Sequence, residues 1–324
     1  MAPVSTRLAP VTTRSRLIAI LGATASGKSA LGLALAERLG GEIVSCDSTA
    51  VYRGFDIGTA KVPPAAQRGV PHHLVDVADP TEEYTAARYA AEASAAVRNI
   101  LGRGSVPILV GGTGFYYRAL TRGLFPGPGR NAALRARLSR TASRRGAPFL
   151  WRMVRRVDPE SARRIQPNDV MRLVRALEVW RLTGRPMTAH FAETRAPLDF
   201  CDVTAFGLKL PADLTAARVA RRVDQQFAAG LVDEVRGLLA GGVPRDAHPF
   251  GGLVYRQVLE LIDGVRDAAA TRALIVQENR RYARRQLIWF RKEPNLRWLD
   301  GPGEDPAVAV RVERMLAAAE ETPA

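Results

Sequence analysis

The sequence predicts an α/β fold in which helices flank a mostly parallel sheet and an all-helical segment interrupts the core. Three observations support this prediction. Short apolar runs alternate with helical stretches, a glycine-rich phosphate-binding motif follows the first apolar run, and the alternation stops after residue 125. Strands that alternate with helices form a parallel sheet that is covered on both faces.

The first elements of the predicted sheet surround the glycine-rich motif. Residues 17–21 form a short apolar run that is typical of a buried strand. A helix is predicted over residues 28–39, and it ends at the glycine pair 40–41 because glycine readily adopts the left-handed conformation found after helices. Residues 42–46 are the second predicted strand, which places Asp47 at its carboxyl end.

The later elements repeat this alternation. An alanine-rich helix over residues 81–101 precedes a strand over 106–110, and another strand is expected over 203–210. Helices are expected near 214–240, 252–263 and 270–292. The predicted division is a disordered basic tail over 1–16, a phosphate-binding core over 17–125 and 200–300, a helical insertion over 126–199 and a C-terminal tail over 301–324 with one weak helix.

The predicted insertion carries most of the positive charge. Residues 130–185 hold fifteen arginines against four acidic residues, a net charge of +11 out of +15 for all 324 residues. Charge of this size attracts polyanions without specifying a fold. Its concentration in one segment argues against a general arginine bias of the genome. We therefore predict that the insertion contacts nucleic-acid phosphates, with an acidic membrane surface as the second candidate.

Composition limits the class of protein. With 47% hydrophobic residues the chain can bury a large core. Its two cysteines, Cys46 and Cys201, are too few for a disulfide framework or a metal cluster, so a reducing cytoplasm is expected. No apolar run reaches the roughly 18 residues that a membrane span needs. Residues 1–16 also lack the apolar stretch of a signal peptide.

The segment between the first strand and the first helix fits the P-loop pattern G-x-x-x-x-G-K-[ST]. Its backbone amides and the helix N-terminus favour phosphate oxygens, and its lysine adds a positive charge. The motif predicts a P-loop NTPase-like core that binds a diphosphate or triphosphate, but it does not identify the reaction. The predicted phosphate-binding residues are Gly22, Ala23, Thr24, Ala25, Ser26, Gly27, Lys28 and Ser29, and the Ser29 hydroxyl is the predicted ligand of a Mg²⁺ cofactor.

Two further polar residues follow strands of the same predicted sheet. Asp47 comes after the second strand, and Thr113 follows the strand over 106–110. Ligands of open α/β sheets bind at the carboxyl ends of the strands, so we expect both residues to converge on the P-loop. Asp47 is predicted to act as a general base or, through water, to help hold Mg²⁺.

A second basic cluster covers residues 280–292. Its arginines are interleaved with Tyr282, Trp289 and Phe290. This combination suits RNA, because arginine meets phosphates and aromatic rings stack on unpaired bases. An ordinary amphipathic helix with its aromatic residues in the core is the alternative, and both interpretations can hold together.

Five longer motifs occur in order along the chain. They are DSTAVYRGFDIGTAK at 47–61, GGTGFY at 111–116, PND followed by RALEV within 167–179, GLVDEV at 230–235 and RRYARRQLIWFR at 280–291. With these motifs the chain resembles the tRNA dimethylallyltransferases, the isopentenyl transferases that modify an adenosine beside the anticodon. The resemblance covers about residues 17–295. No zinc-finger cysteines follow the core, which favours the bacterial type.

The resemblance implies a channel in which a flipped adenine meets dimethylallyl diphosphate, with the two substrates entering from opposite ends. It implies that Asp47 is the general base, that Thr113 lies where adenine and diphosphate meet, and that Arg280 is a further diphosphate contact. It also implies a monomer. The implied tRNA contacts are Asp47, Ser48, Thr49, Ala50, Thr113, Arg135, Met171, Arg172, Leu173, Val174, Arg175, Tyr255, Arg256, Arg284, Arg285, Gln286, Trp289 and Arg291.

The sequence departs from the family pattern at several positions. Ala23 stands where proline is common, and Ser29 where threonine is common. Ala50 replaces a frequent glutamine, Val254 a frequent glycine and Asn279 a frequent threonine. The change at Ala50 removes one implied contact to RNA or adenine.

The reaction that the resemblance implies also explains why one acidic residue of P-loop ATPases is missing from this sequence. The adenine amine attacks an allylic carbon, diphosphate leaves, and P-loop amides, Lys28 and Mg²⁺ stabilise its charge. P-loop ATPases usually have an acidic residue at the end of an apolar strand, whereas the strand over 106–110 is followed by Gly111, Gly112 and Thr113. Because no phosphoryl group is transferred, that acid is not needed. The alternatives are a prenyltransferase acting on free adenine nucleotides, a P-loop small-molecule kinase and a non-enzymatic RNA-binding protein. The +11 insertion argues against the first.

Overall fold

The computed structural model describes residues 15–320 and confirms the predicted α/β class. The strands are β1 (Ser15–Gly22), β2 (Gly41–Cys46), β3 (His72–His73), β4 (Val106–Gly111), β5 (Cys201–Lys209) and β6 (Leu296–Asp300). Within the described residues they form one parallel sheet with the order β3-β2-β4-β1-β5-β6.

The central strand β1 separates two hydrophobic cores. Leu17, Ala19 and Leu21 pack on one face of the sheet, and Ile18 and Ile20 pack on the other. All five side chains are almost fully buried. A strand that is covered on both faces needs apolar residues at every position, which explains its unbroken apolar run.

Helices cover the sheet and form the insertion. They are α1 (Lys28–Leu39), α2 (Ala86–Gly102), α3 (Gly114–Arg122), α4 (Ala132–Arg145), α5 (Ala147–Val157), α6 (Pro159–Arg164), α7 (Val170–Thr183), α8 (Met187–Phe191), α9 (Ala212–Ala228), α10 (Leu231–Ala240), α11 (Tyr255–Ile262), α12 (Ala268–Phe290) and α13 (Pro306–Glu320). None of the helices between residues 15 and 320 combines the length and apolar character needed to span a lipid bilayer.

The chain divides into two compact units. The first comprises residues 15–121 and 198–320 and contains the sheet, and the second is Arg122–Pro197. Helices α4 to α8 make up the regular structure of the second unit. Its core includes Leu138, Leu150, Leu173 and Leu177, which are buried or nearly so.

Two predicted helix boundaries were wrong. The helix expected from residue 81 begins at Ala86, because the Thr85 hydroxyl accepts a hydrogen bond from the Arg88 amide (3.1 Å) and caps it there. The helix expected over 214–240 is two helices. They are separated at Gly230, whose φ of 91° lies in the left-handed region and ends helical hydrogen bonding.

Residues 301–324 were expected to form a tail with one weak helix; a helix, α13, is present there, and it packs onto α1. β6, directly before this region, extends the sheet beside β5 and was not predicted as a strand. Val308, Val312 and Leu316 are buried in the same core as Leu31. The strand is only five residues long, too short to show a clear alternation. Of the predicted N-terminal tail, residues 15–16 belong to β1 and residues 1–14 lie outside the described part of the chain.

Candidate active site

The P-loop connects β1 to α1 at the carboxyl end of the central strand. Gly27, directly before α1, has a φ of 89°, which glycine adopts at little cost. A Cβ at this position would collide with the Glu304 carboxylate and the Gly303 backbone. The loop therefore requires glycine here both for its conformation and for the close approach of the C-terminal segment.

Lys28 and Arg222 bring two positive charges to the P-loop. The Arg222 guanidinium donates to the Thr24 hydroxyl (3.1 Å) and to the Thr59 carbonyl (3.0 Å). Desolvation, and then the charge of Arg222, lowers the pKa of Lys28 to about 8. Burial lowers the pKa of Arg222 as well. Two desolvated cations are costly unless an anion lies between them, so the electrostatics of this site favour a multiply charged anion.

Asp47 lies at the carboxyl end of β2, next to β4 and one strand away from the P-loop strand. Its Oδ1 accepts hydrogen bonds from the Thr49 amide (2.9 Å), the Thr49 hydroxyl (2.7 Å) and the Ala50 amide (3.4 Å). Among residues 15–320 no hydrogen bond reaches the other oxygen, Oδ2. The turn thus fixes the carboxylate through one oxygen and leaves the other available to accept a proton.

Thr113 is tied to the turn that carries Asp47. Its hydroxyl accepts from the Ser48 amide (3.1 Å) and donates to the Ser48 hydroxyl (3.4 Å), and its own amide donates to the Cys46 carbonyl (3.1 Å). The ends of β2 and β4 are therefore bridged, as expected for neighbouring strand ends.

A cavity of about 430 Å³ in the first unit, called the main cavity below, brings together P-loop residues, Asp47 and Arg222, but Thr113 does not line it. It is lined by Thr24, Lys28, Asp47, Arg222, Tyr282 and Gln286, among others. A second cavity of about 80 Å³ shares Lys28, Asp47 and Arg222 with it, and a third of about 500 Å³ shares Arg222 with both. Arg222 thus lines all three cavities.

Ser29 and Asp47 are the two predicted metal-binding groups that line the same small cavity. No group of three or more His, Cys, Asp or Glu side chains in residues 15–320 is arranged to hold a metal ion. One hydroxyl and one carboxylate fit a Mg²⁺ ion that takes its remaining ligands from substrate phosphates and water. They do not fit a metal site made of protein ligands alone.

Helix α12 turns one face toward the main cavity. Asn279, Tyr282 and Gln286, spaced three and four residues apart, line it. Burial, and then the charge of Asp47, raises the pKa of Tyr282 to about 12. Arg280, predicted to contact diphosphate, lies off this face by helical periodicity; it is exposed and lines none of the three cavities, whereas Arg222 lines all three.

Several residues that were predicted to contact RNA have partners within the protein. Trp289 packs against the Gly114 backbone, and the Arg118 guanidinium lies 4.4 Å from its ring. Tyr255 is buried and donates to Glu234 (2.7 Å), and Arg256 donates to Glu278 (3.0 Å). Three predicted contacts on and just after α12 are exposed, namely Arg284, Arg285 and Arg291.

In the helical unit, too, some residues that were predicted to contact RNA are exposed and others are buried. Met171 is 84% exposed, and Arg172 is also exposed. Leu173 and Val174 are buried, so their side chains serve the core of this unit.

Arg135 and Arg175 hold a buried carboxylate in this unit. Arg135 donates to both oxygens of Glu178 (2.8 Å each), Arg175 donates to Oε2 (2.7 Å), and the Asn131 amide donates to Oε1 (2.8 Å). Burial by itself would raise the pKa of Glu178, but these hydrogen bonds hold it at about 2. The two arginines are thus already paired within the protein.

Sequence reasoning missed Arg222, Thr59 and His248, all of which line the main cavity. Asn279 and Tyr282 could have been found, because they share a helical face with Gln286. Arg222 gave no comparable signal, since its environment depends on how α9 packs against the P-loop.

Val254 has an unusual backbone. Its φ of 78° and ψ of −60° correspond to a γ-turn conformation that is rare and strained for a β-branched residue. Its side chain is buried, and it lines the main cavity. Glycine would adopt this conformation without that strain.

Comparison with known proteins gives consistent results. The family model described as IPP transferase matches residues 50–293. A tRNA dimethylallyltransferase of Koribacter versatilis is 46% identical over 292 residues, covering 90% of this chain and 95% of the relative. The corresponding protein of Geobacter metallireducens is 45% identical, with 90% and 94% covered.

Two solved structures are similar. The full-length tRNA isopentenylpyrophosphate transferase of Bacillus halodurans has a TM-score of 0.70 and 34% identity, with 94% of this chain and 96% of that chain covered. A eukaryotic dimethylallyltransferase acting on tRNA has a TM-score of 0.78 and 24% identity, with 95% and 79% covered, and supports the fold alone.

Proposed function

The chain belongs to the IPP transferase family, and on that premise we propose that it acts as a tRNA dimethylallyltransferase. It transfers a dimethylallyl group from dimethylallyl diphosphate to the exocyclic amine of the adenosine on the 3′ side of the anticodon. The observation that carries this proposal is the main cavity. There the two desolvated cations, Lys28 and Arg222, face the carboxylate of Asp47, whose Oδ2 is free to accept a proton.

The diphosphate is bound by the P-loop, Lys28 and Arg222. The two cations favour a multiply charged anion, and the P-loop amides at the start of α1 add an oriented field. These groups act on the leaving group as its charge develops, which is where fixed dipoles and charges accelerate a reaction most.

The acceptor adenine enters the main cavity, with its amine beside Asp47. The nitrogen lone pair forms a bond to the allylic carbon while the carbon–oxygen bond breaks, and that electron pair leaves with diphosphate. The amine proton passes to Asp47 Oδ2, since Oδ1 is already occupied by the turn. Thr113 holds this turn in place through Ser48.

Mg²⁺, when bound, supplies additional positive charge to the diphosphate; Ser29 would hold it directly and Asp47 only through water, which leaves Asp47 Oδ2 to accept the proton. The protein's own contribution to charge neutralisation is Lys28 with Arg222. The two substrates enter from opposite sides of Arg222, the adenine through the main cavity beside Tyr282 and the donor through the more apolar third cavity.

The tRNA is recognised by exposed cations and by exposed apolar side chains. Arg284, Arg285 and Arg291 meet phosphates, and Met171 and Phe115, 84% and 55% exposed, offer apolar surface to unpaired bases. Extruding the adenine costs a few kcal/mol, and least in a loop. The enzyme acts as a monomer in this proposal.

The test is a reaction of unmodified tRNA with dimethylallyl diphosphate and Mg²⁺, followed by mass spectrometry of the nucleosides. Wild-type protein is expected to give prenylated adenosine. Asp47→Asn keeps the acceptor oxygen of the turn but cannot take the proton, so the rate should fall by about 10²-fold or more while tRNA affinity is retained.

Two other outcomes would redirect the proposal. Preferential prenylation of free AMP would identify an enzyme of free nucleotides. Consumption of the ATP γ-phosphate without prenyl transfer would identify a kinase. An Asp47→Asn variant with full activity would remove Asp47 as the base and leave the reaction itself standing.

A further inference from the structure

The outer side of the P-loop is held by the segment between β6 and α13. The Gly303 amide donates to the Ser26 carbonyl (3.0 Å), and the Arg218 Nε donates to the Ala25 carbonyl (2.6 Å). Arg218 also forms an ion pair with Glu304. The family model ends at residue 293, before this segment.

These contacts determine where the loop amides point. In a trans peptide the carbonyl and the following N–H point in opposite directions. Holding the Ser26 carbonyl toward Gly303 therefore turns the Gly27 amide to the other side of the loop, where an anion at the start of α1 would lie. Ala25 has a φ of 61°, which costs an alanine about 1 kcal/mol or more, so an external contact is needed to keep it there.

We propose that Arg218 and Glu304 are positioning residues that hold the P-loop in its diphosphate-binding conformation. Neither needs to touch the diphosphate. Arg218 fixes the Ala25 carbonyl, and Glu304 fixes the guanidinium of Arg218 and keeps the C-terminal segment against the loop. The inference rests on the proposed function, because it assumes that the P-loop binds a diphosphate.

A second ion pair in the same region provides a matched control. Arg38 on α1 pairs with Glu313 on α13 (2.7 Å) and helps to dock α13, but within residues 15–320 neither side chain hydrogen-bonds a P-loop carbonyl. If the C-terminal segment only stabilised the fold, removing Glu304 and removing Glu313 would have similar consequences. If Glu304 positions the P-loop, only its removal should weaken diphosphate binding.

The experiment measures the affinities of full-length protein for inorganic diphosphate and for tRNA by calorimetry or filter binding, together with the melting temperature. The variants are Glu304→Ala, Arg218→Met and Glu313→Ala. For the first two we expect the Kd for diphosphate to rise about tenfold, equivalent to ~1.4 kcal/mol, with the Kd for tRNA unchanged. The KM for dimethylallyl diphosphate should rise in parallel.

Glu313→Ala is expected to bind diphosphate like wild type. Equal diphosphate affinities in Glu304→Ala, Arg218→Met and wild type, or equal losses in Glu304→Ala and Glu313→Ala, would overturn the inference. Absence of diphosphate binding by the wild-type protein would instead contradict the proposed function. Arg218→Met keeps the test decisive if Glu304→Ala does not fold.

Discussion

Gln286 on α12 joins the P-loop to the end of β4. Its Oε1 accepts a hydrogen bond from the Thr24 amide (2.8 Å), and its Nε2 donates to the Gly112 carbonyl (2.9 Å). We had predicted that this residue contacts tRNA, and it does line the main cavity. Its carboxamide oxygen and nitrogen each hydrogen-bond a backbone group, so its first role is to fix the loop.

Replacing Gln286 with Met should destabilise the protein by about 2 kcal/mol, because it leaves two buried backbone groups without a partner. Diphosphate affinity should fall, since the P-loop loses one of its anchors, whereas tRNA affinity should change little. Calorimetry with both ligands checks this. Arg284→Ala, an exposed neighbour on the same helix, is the control and should show the reverse pattern, with weaker tRNA binding and a smaller salt dependence.

Diphosphate binding should depend on pH through Lys28. Its pKa in the free protein is about 8, below the ordinary value of 10.5, so the unfolded state binds more protons between these limits. The stability contribution of Lys28 therefore increases as pH rises from about 8 toward 10.5. A bound anion restores the charge, so binding should take up a proton and weaken above pH 8, by up to about tenfold per pH unit.

Calorimetry of diphosphate binding in two buffers of different ionisation enthalpy measures this proton uptake. Lys28→Arg is the matched control, because arginine stays charged throughout the range and cannot contribute an uptake. The diphosphate's own titration is common to both proteins, so the difference between them reports Lys28. Identical pH profiles would contradict the assignment.

Glu178→Gln should destabilise the helical unit by about 3 kcal/mol, because it leaves Arg135 and Arg175 beside a buried group that no longer neutralises them. The pKa of Glu178 is lowered to about 2 from 4.5, so its contribution is complete above pH 4.5 and is lost as pH falls toward 2.

Urea unfolding of wild type and Glu178→Gln between pH 2 and pH 7 tests this, and the difference should shrink at the acid end. Glu160→Gln removes an exposed pair with Arg164 in the same unit and should cost less than about 1 kcal/mol. A cost at Glu178 no larger than this would mean that the buried network does not stabilise the unit.

At position 254 a glycine variant should be more stable than an alanine variant, which reverses the usual order. Inside helices and strands glycine destabilises a protein by about 0.5–1 kcal/mol relative to alanine, but at a φ of 78° alanine carries a backbone strain that glycine avoids. Val254→Gly should therefore be more stable than Val254→Ala by about 1 kcal/mol. Both lose burial of the valine side chain, so neither is expected to exceed wild type by much.

Thermal unfolding of the two variants decides this prediction. The comparison between them removes most of the cavity effect, because both delete the branched methyl groups. Greater stability of the alanine variant would contradict the strained conformation of Val254.

The amino-acid sequence by itself determined strands β1, β2, β4 and β5, the P-loop and the convergence of Asp47 with Thr113. These follow from local rules: a buried parallel strand is continuously apolar, and neighbouring strand ends meet at one edge of the sheet. The resemblance to a family of tRNA-modifying enzymes likewise depended on long motifs that are visible in the chain.

Only the tertiary structure decided which charges serve the site. Arg222 and Arg280 look alike in sequence, but the packing of α9 and α12 puts Arg222 at the P-loop and leaves Arg280 exposed. Counting arginines likewise could not separate Arg135 and Arg175, which are paired with Glu178, from exposed Arg172. Glu304 reaches the P-loop through Arg218, which donates to the Ala25 carbonyl, and these three residues are distant in sequence. Such pairings arise from side-chain packing across elements, which local periodicity does not encode.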